Sequence, residues 1–409
     1  MKKVLATGVA LLMAGSIATA AEMEDKSGVS IKGNARARVI YKDKYDFGNS
    51  DNDANWTMDS RVRFDVTGTA AGGAYIKGRI RLIEQKFNGE ADISENNNIY
   101  ADKAYIGVPF TDEFTLEAGK YRVTYGNGFM YDDIGLAGVR GIYQNEQILV
   151  VPFFEVESEG QVSDIAKDVE EDNDSVRFGA AVQGTMDAWT GGILAAYQTD
   201  DRVESYIDDS GAVVATGNGE NDGFFGSVFV KGTMGAFGVE GEFAYAEEGI
   251  TDFTGVDDGY GGYLRGSWTM DALSLALDLG FTKDGYKPDP FYGFVMIGGE
   301  EPIGAQAIGE NSDWMWAGLR ASYAVTEALS LTGNLVYADI DGNDDLGITD
   351  PRLANMYELS GVLKYAVSQG CTFSWYAGYL TPDFDGRLDA VGVEDDGAFG
   401  TYAKFDVKF

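Results

Sequence analysis

Six arginines, two apart in each of three neighbouring segments, are the residues of this chain best suited to chemistry. Arg36 with Arg38, Arg61 with Arg63, and Arg79 with Arg81 share a phase with Lys32 and Lys77. In an extended strand a period of two puts side chains on one face, so these eight cations would line one side of three adjacent strands. A guanidinium stays charged at any ordinary pH and offers a fork of donors to carboxylates and other anions. Arg140 and Arg177 join the same face if their segments keep the phase. A second reading stays open, in which the cations only neutralise carboxylates that folding brings beside them.

Other chemistry is narrowed by what is missing. The chain has no histidine, which removes Ser-His-Asp and Cys-His catalysis, imidazole metal ligation and c-type haem attachment. Cys371 stands alone, so no intrachain disulfide can form. A net charge of −35 argues against nucleic acid as a partner. No glycine-rich loop follows a strand and opens a helix, so no nucleotide cofactor is expected. The acidic stretches, from Glu155 to Asp174 and from Asp339 to Asp350, read as solvated, mutually repelling loops. Asp339-Ile340-Asp341-Gly342-Asn343 echoes a calcium loop but lacks the terminal Glu at its spacing, so no metal site is assigned. Carboxylates are too many and too evenly spread to nominate a catalytic pair, and no enzyme is expected.

The elements that must hold the arginines are amphipathic strands. Ile31, Ala35, Ala37, Val39 and Tyr41 alternate with Lys32, Asn34, Arg36 and Arg38. Val62, Phe64 and Val66 oppose Arg61, Arg63 and Asp65, and Ile76, Ile80 and Leu82 oppose Lys77, Arg79 and Arg81. Phe399, Thr401, Ala403, Phe405, Val407 and Phe409 alternate with Lys404, Asp406 and Lys408 at the far end. Tight turns fall near 71–72, 111–112, 145–146, 186–187, 234–235, 270–271, 326–327 and 368–369. Long polar loops fall near 42–55, 87–97, 125–136, 158–173, 201–220, 248–258, 284–311, 341–354 and 383–396. Eight turns and nine loops join about 18 strands, or 16 if the segment around Val139–Tyr143 forms no strand. The expected fold is therefore all-β: a transmembrane antiparallel barrel with short periplasmic turns and long outer loops. A water-soluble sandwich would have to close one core with far more strands than open sheets tolerate. Trp189, Phe237, Trp268, Tyr323 and Tyr365 beside turns, and Tyr41, Trp56, Tyr197, Tyr245, Trp314, Tyr337 and Tyr379 near loop ends, read as two interfacial girdles.

Residues 1–20 read as a signal peptide, with Lys2 and Lys3, an apolar stretch from Val4 to Ala14, and Ala18-Thr19-Ala20 for cleavage. Residues 21–409 then form one barrel domain. A barrel of this width has an aqueous lumen unless something fills it, so passage of small hydrophilic solutes is the expected function. Tyr125-Gly126-Asn127-Gly128, followed by Asp132 and Asp133, could fold inward as a constriction loop, its two aspartates facing the arginines across the pore. The parity break at Ala118-Gly119 calls for a β-bulge or an early inward bend. A different possibility is a sheath whose lumen or acidic loops bind a partner such as a cytochrome.

With its leader, its amphipathic strands and Phe409, the chain resembles Gram-negative porins. Leu116 to Gly128 and Gly138-Val139-Arg140 also resemble a segment of alginate-export-type barrels, a likeness covering some 30 residues. These resemblances imply an 18-stranded outer-membrane channel of a Gram-negative bacterium, with an arginine-rich lumen for acidic sugars or other anions. They imply outer-membrane lipid and lipopolysaccharide as surroundings. Homotrimer and monomer share this patterning.

Overall fold

A computed structural model of the chain describes residues 27–45, 47, 54–87, 99–159, 174–200, 203–207, 213–218, 222–250, 252–254, 257–299, 301–309, 312–342, 352–385 and 396–409. The expected signal peptide lies outside the described residues, as do the acidic stretches 164–172 and 344–350.

Every described regular element is a strand. The first nine are β1 (Gly28–Asp43), β2 (Ala54–Thr69), β3 (Tyr75–Phe87), β4 (Tyr100–Pro109), β5 (Phe114–Tyr125), β6 (Tyr131–Gln144), β7 (Ile148–Glu159), β8 (Asp174–Met186) and β9 (Trp189–Asp200). A small hairpin follows, β10 (Val203–Ile207) with β11 (Val213–Asn218), outside the main sheet. The second run is β12 (Gly223–Met234), β13 (Phe237–Ala246), β14 (Gly259–Met270), β15 (Leu273–Lys283), β16 (Ser312–Ala324), β17 (Leu329–Gly342), β18 (Arg352–Ser368), β19 (Cys371–Asp385) and β20 (Ala398–Lys408). Each barrel strand pairs antiparallel with the next, β9 passes directly to β12, and β20 closes on β1, giving a cylinder of 18 strands. Closure leaves no open edge, which a sheet in hydrocarbon requires because lipid cannot hydrogen-bond stray N–H and C=O groups.

Closure also fixes which residues meet lipid. Leu264, Leu277, Leu319, Leu335 and Leu359 are about half exposed on the outer face, whereas their strand neighbours Tyr263, Asp278, Val336 and Glu358 are buried inside. The eight turns fall where the sequence places them. Met186-Asp187-Ala188-Trp189, Met234-Gly235-Ala236-Phe237 and Met270-Asp271-Ala272-Leu273 repeat one device: a two-residue turn whose first residue has positive φ, at 53°, 63° and 49°. Such turns match the twist of the strands they join, and Asp or Gly tolerates that backbone.

Two expectations need correction here. Trp314 is no lipid girdle residue: it points inward, is fully buried, and donates its indole N–H to Ser312 at 2.8 Å. Segment 125–136 is not a long outer loop either, because β5 runs to Tyr125 and β6 starts at Tyr131. At Ala118-Gly119 register is unbroken on both sides, which rules out a bulge there. The inward bend is what occurs. Pairing of β4 with β5 ends at Lys120 and pairing of β6 with β7 begins at Ala137, so the upper hairpin leaves the wall. Gly119 and Gly138 face each other at the departure point: Gly119 has φ +127°, and a Cβ on Gly138 would lie 2.1 Å from the Phe154 carbonyl oxygen. Only glycine fits there.

Candidate functional site

The inner face of β1 to β4 is the basic wall. Register places Arg36 opposite Arg61, Arg63 opposite Arg81, and Arg79 opposite Lys103. Like charges directly across a pair of strands destabilise the sheet, so three such pairs in a row need relief or a use. Some relief comes from wall carboxylates rather than loop ones. Asp59 binds Arg38 at 2.8 Å, Asp65 binds Arg79 at 3.0 Å and Lys103 at 2.9 Å, and Asp102 binds Arg81 at 2.7 Å. Arg63 donates to Asn34 at 3.1 Å, and Lys77 lies over the Tyr75 ring. Lys32 faces Asp65 across β1 and β2. These four strands carry eleven lysines and arginines against four aspartates and Glu84, which stands opposite Arg61. Arg36, Arg38 and Arg61 border a lumenal cavity of about 660 Å³ whose other charged lining is Arg320, Lys364, Lys404 and Glu301.

Arg140 and Arg177 share the inward phase but not the wall. Arg140 is clamped by Glu117 at 2.8 and 2.5 Å, with its guanidinium 4.2 Å from the centre of the Tyr121 ring. Arg177 is only 3% exposed and donates to Gln198 at 2.7 Å, Tyr131 at 3.2 Å and Asp252 at 2.5 Å. Arg140 borders a separate cavity of about 320 Å³ with Arg122 and Gln144, whereas Arg177 is sealed on this side of the lumen. Glu155, expected in a solvated loop, is buried there too and accepts from the Tyr121 hydroxyl at 3.2 Å.

That hairpin carries the expected constriction residues. Its tip crosses to β12 and β13, where the Asn127 side chain donates to the carbonyls of Val230 at 3.1 Å and Gly241 at 3.0 Å. The Asn127 and Phe129 backbone N–H groups both donate to the buried Glu242 carboxylate, at 2.8 and 3.1 Å. Gly126 and Gly128 have φ of +73° and +86°, as the sharp tip demands. Tyr125 is buried against Phe153. The two aspartates do not face the arginines of β1 to β3. Asp133 pairs with Arg122 on its own hairpin at 2.8 Å, and Asp132 borders a small cavity with Arg265 and Arg320 on the far wall.

A second inward segment was read in the sequence as a plain outer loop. Residues 289–308, between β15 and β16, bury Tyr292, Phe294, Val295, Met296, Ile297 and Ile303 inside the barrel. The Val295, Met296 and Ile297 N–H groups donate to Glu358 of β18 at 3.1, 3.0 and 2.8 Å. Tyr292 donates to Asp278 at 3.1 Å, and burial, with that carboxylate's help, holds its phenol protonated far above the usual range. Tyr45 donates to the Ile303 carbonyl at 2.6 Å and is likewise raised, by burial first and then by Glu358. The two inward segments are joined: Asp289 N–H donates to the Phe129 carbonyl at 2.8 Å, and Asp132 N–H to the Asp289 carboxylate at 2.9 Å. The available signal was the apolar run Phe291-Tyr292-Gly293-Phe294-Val295-Met296-Ile297, too greasy for a loop meant to stand in water.

The geometry thus describes a wide barrel with one side filled and a charged passage on the other. A family model described as Gram-negative porin matches residues 6–345. No curated protein matches the sequence. Among solved structures, a BenF-like porin from Pseudomonas fluorescens is similar at a TM-score of 0.61 and 9% identity, covering 95% of this chain and 100% of that one. OpdR of Pseudomonas aeruginosa aligns at 0.58 and 10% identity, covering 95% and 99%, and OpdO of the same organism at 0.56 and 13%, covering 95% and 97%. At these identities the likeness speaks for the fold. The family match spans most of the chain, and with it the closed barrel and its lumen reach their conclusion: this protein belongs to the Gram-negative porins and forms a channel in the outer membrane.

Proposed function

We propose that the channel passes small hydrophilic solutes by passive diffusion with a weak preference for anions, and that Lys32, Arg36, Arg38, Arg61, Arg63, Lys77, Arg79 and Arg81 supply the preference. The observation that carries this is the stacking of like charges across β1 to β4, where Arg36 stands opposite Arg61, Arg63 opposite Arg81 and Arg79 opposite Lys103. Asp406 stands on the other side of Arg36, Glu84 of Arg61 and Asp65 of Arg79, so folding offsets part of the repulsion and the excess of cations remains. A passing anion meets that excess, and each guanidinium lowers its barrier at the narrowest level. Arg177 is left out of the conducting set because it is buried, and Arg140 because it borders a different cavity from that of Arg36, Arg38 and Arg61. The hairpin tip, Tyr125 to Gly128 with Asp132, narrows the lumen from the filled side. Two inward segments take up the space a lumenal partner protein would fill, which favours solutes over a cytochrome.

Planar-bilayer reversal potentials in a KCl gradient test the reading. A chloride-preferring potential is expected; a clear potassium preference that survives Arg61→Ala unchanged would remove the basic wall from the account.

A further inference from the structure

We infer that Glu358 is a positioning residue for permeation: it holds segment 289–308 against the wall as a shelf, and that shelf sets the largest solute that passes. The inference rests on the channel reading but not on its charge preference. Glu358 is completely buried, and its two oxygens collect three successive backbone N–H groups, those of Val295, Met296 and Ile297. Among the described residues no lysine or arginine lies within ion-pair distance of it, so its oxygens are matched by the shelf's own backbone and by Ser360, as in an anion nest.

The wall is shaped to receive the shelf. Gly318 of β16 lies under Phe294, where a Cβ would stand 2.4 Å from the ring. Gly378 of β19 lies under Met296, with 2.5 Å to its Cγ, and Gly400 of β20 lies under Ile303, with 2.8 Å to its Cβ. Glycine inside a strand costs stability, and its use on three strands beneath one segment marks a close backbone approach. The far ends are fixed by the Tyr45 bond to Ile303 and by the Asp289 bond to Phe129.

The shelf stands between two cavities. One, of about 510 Å³, is bordered by Lys287, Asp289 and Gln306; the other is the 660 Å³ cavity of the basic wall. Gly299 and Glu301 border both, so that edge of the shelf divides the two cavities. Moving the shelf moves the edge.

Liposome swelling with neutral sugars of increasing size, beside single-channel recording, separates this role from charge selection. Glu358→Ala is expected to admit a larger sugar than wild type and to raise conductance about two-fold with added current noise. Glu358→Gln, which keeps one acceptor oxygen, should fall between. Gly378→Val, which unseats Met296 while leaving Glu358 intact, should reproduce the larger cut-off. The reversal potential should stay at its wild-type value in all three. Folded barrels are selected by heat-modifiable electrophoretic mobility, and if Glu358→Ala does not fold, Gly378→Val decides by the same readouts. An unchanged sugar cut-off in folded variants overturns the inference while leaving the channel reading intact. A wild-type barrel that passes neither sugar nor current overturns both.

Discussion

Arginine lies inside both halves of this barrel and does different work in each. On β1 to β4 arginines face one another across strands and border a wet cavity; on β6 and β8 Arg140 and Arg177 face one carboxylate or more, and Arg177 is buried. The filled half continues into aromatic packing, where Tyr131 meets Phe225 and Phe253, and Phe129 meets Tyr286 and Tyr292. Strand phase decides only that a side chain points inward. Whether it then conducts or fastens depends on what stands one strand over and on what folds across it.

The sharpest break of this comparison is a matched pair of truncations. Arg177→Ala takes one hydrogen bond each from buried Gln198 and Tyr131, and should lower stability by about 2 kcal/mol, at roughly 1 kcal/mol per lost bond. Arg61→Ala removes a like charge opposite Arg36 together with the cation opposite Glu84, so the two effects offset and stability should change by less than about 1 kcal/mol. Urea midpoints in detergent, followed by electrophoretic mobility, would show the contrast; equal losses would erase it. Glu117→Gln should cost a similar amount, about 2 kcal/mol, because the Arg140 charge keeps its seat on Tyr121 while losing its carboxylate.

Conductance should report the reverse ranking. Removing one charge about 8 Å from a passing ion in a water-like medium is worth about 0.5 kcal/mol, with opposite sign for chloride and potassium, so Arg36→Ala and Arg61→Ala should each lower the chloride-to-potassium ratio about six-fold. Arg140→Ala should leave that ratio where it was. The smallest effect is one of salt. Raising KCl from about 0.1 to about 1 M shortens the screening length from about 10 to about 3 Å, so selectivity should fade while the filled half keeps its unfolding midpoint.

Most of the fold was legible because a closed sheet in lipid writes itself into every second residue. The Met-Asp-Ala and Met-Gly-Ala turns, the outward leucines and the cation phase of β1 to β3 all follow from local rules. The bend at Gly119 and Gly138 was visible as a lost parity. Its consequence was not, since the burial of Arg177 depends on Asp252, 75 residues away, and on Tyr131, 46 away. Asp132 and Asp133 carried the right charge for a pore-facing role, but the hairpin turned them toward Arg265, Arg320 and Arg122. The 289–308 shelf was missed because acidic and glycine-rich flanks made the whole stretch look like a loop. Its apolar centre, and a lone Glu at position 358 amid outward leucines and tyrosines, become informative only once they are seen to touch.

Thiol accessibility tests the division of the lumen most directly. In a Cys371→Ser background, Arg61→Cys and Ala196→Cys place one thiol in the basic half and one in the filled half, where Ala196 is only 3% exposed. A small, charged, membrane-impermeant methanethiosulfonate should modify the first quickly and alter the current, and leave the second unreacted. Equal reaction at both positions would contradict the claim that the packing around Ala196 is closed to water while the basic wall is open to it.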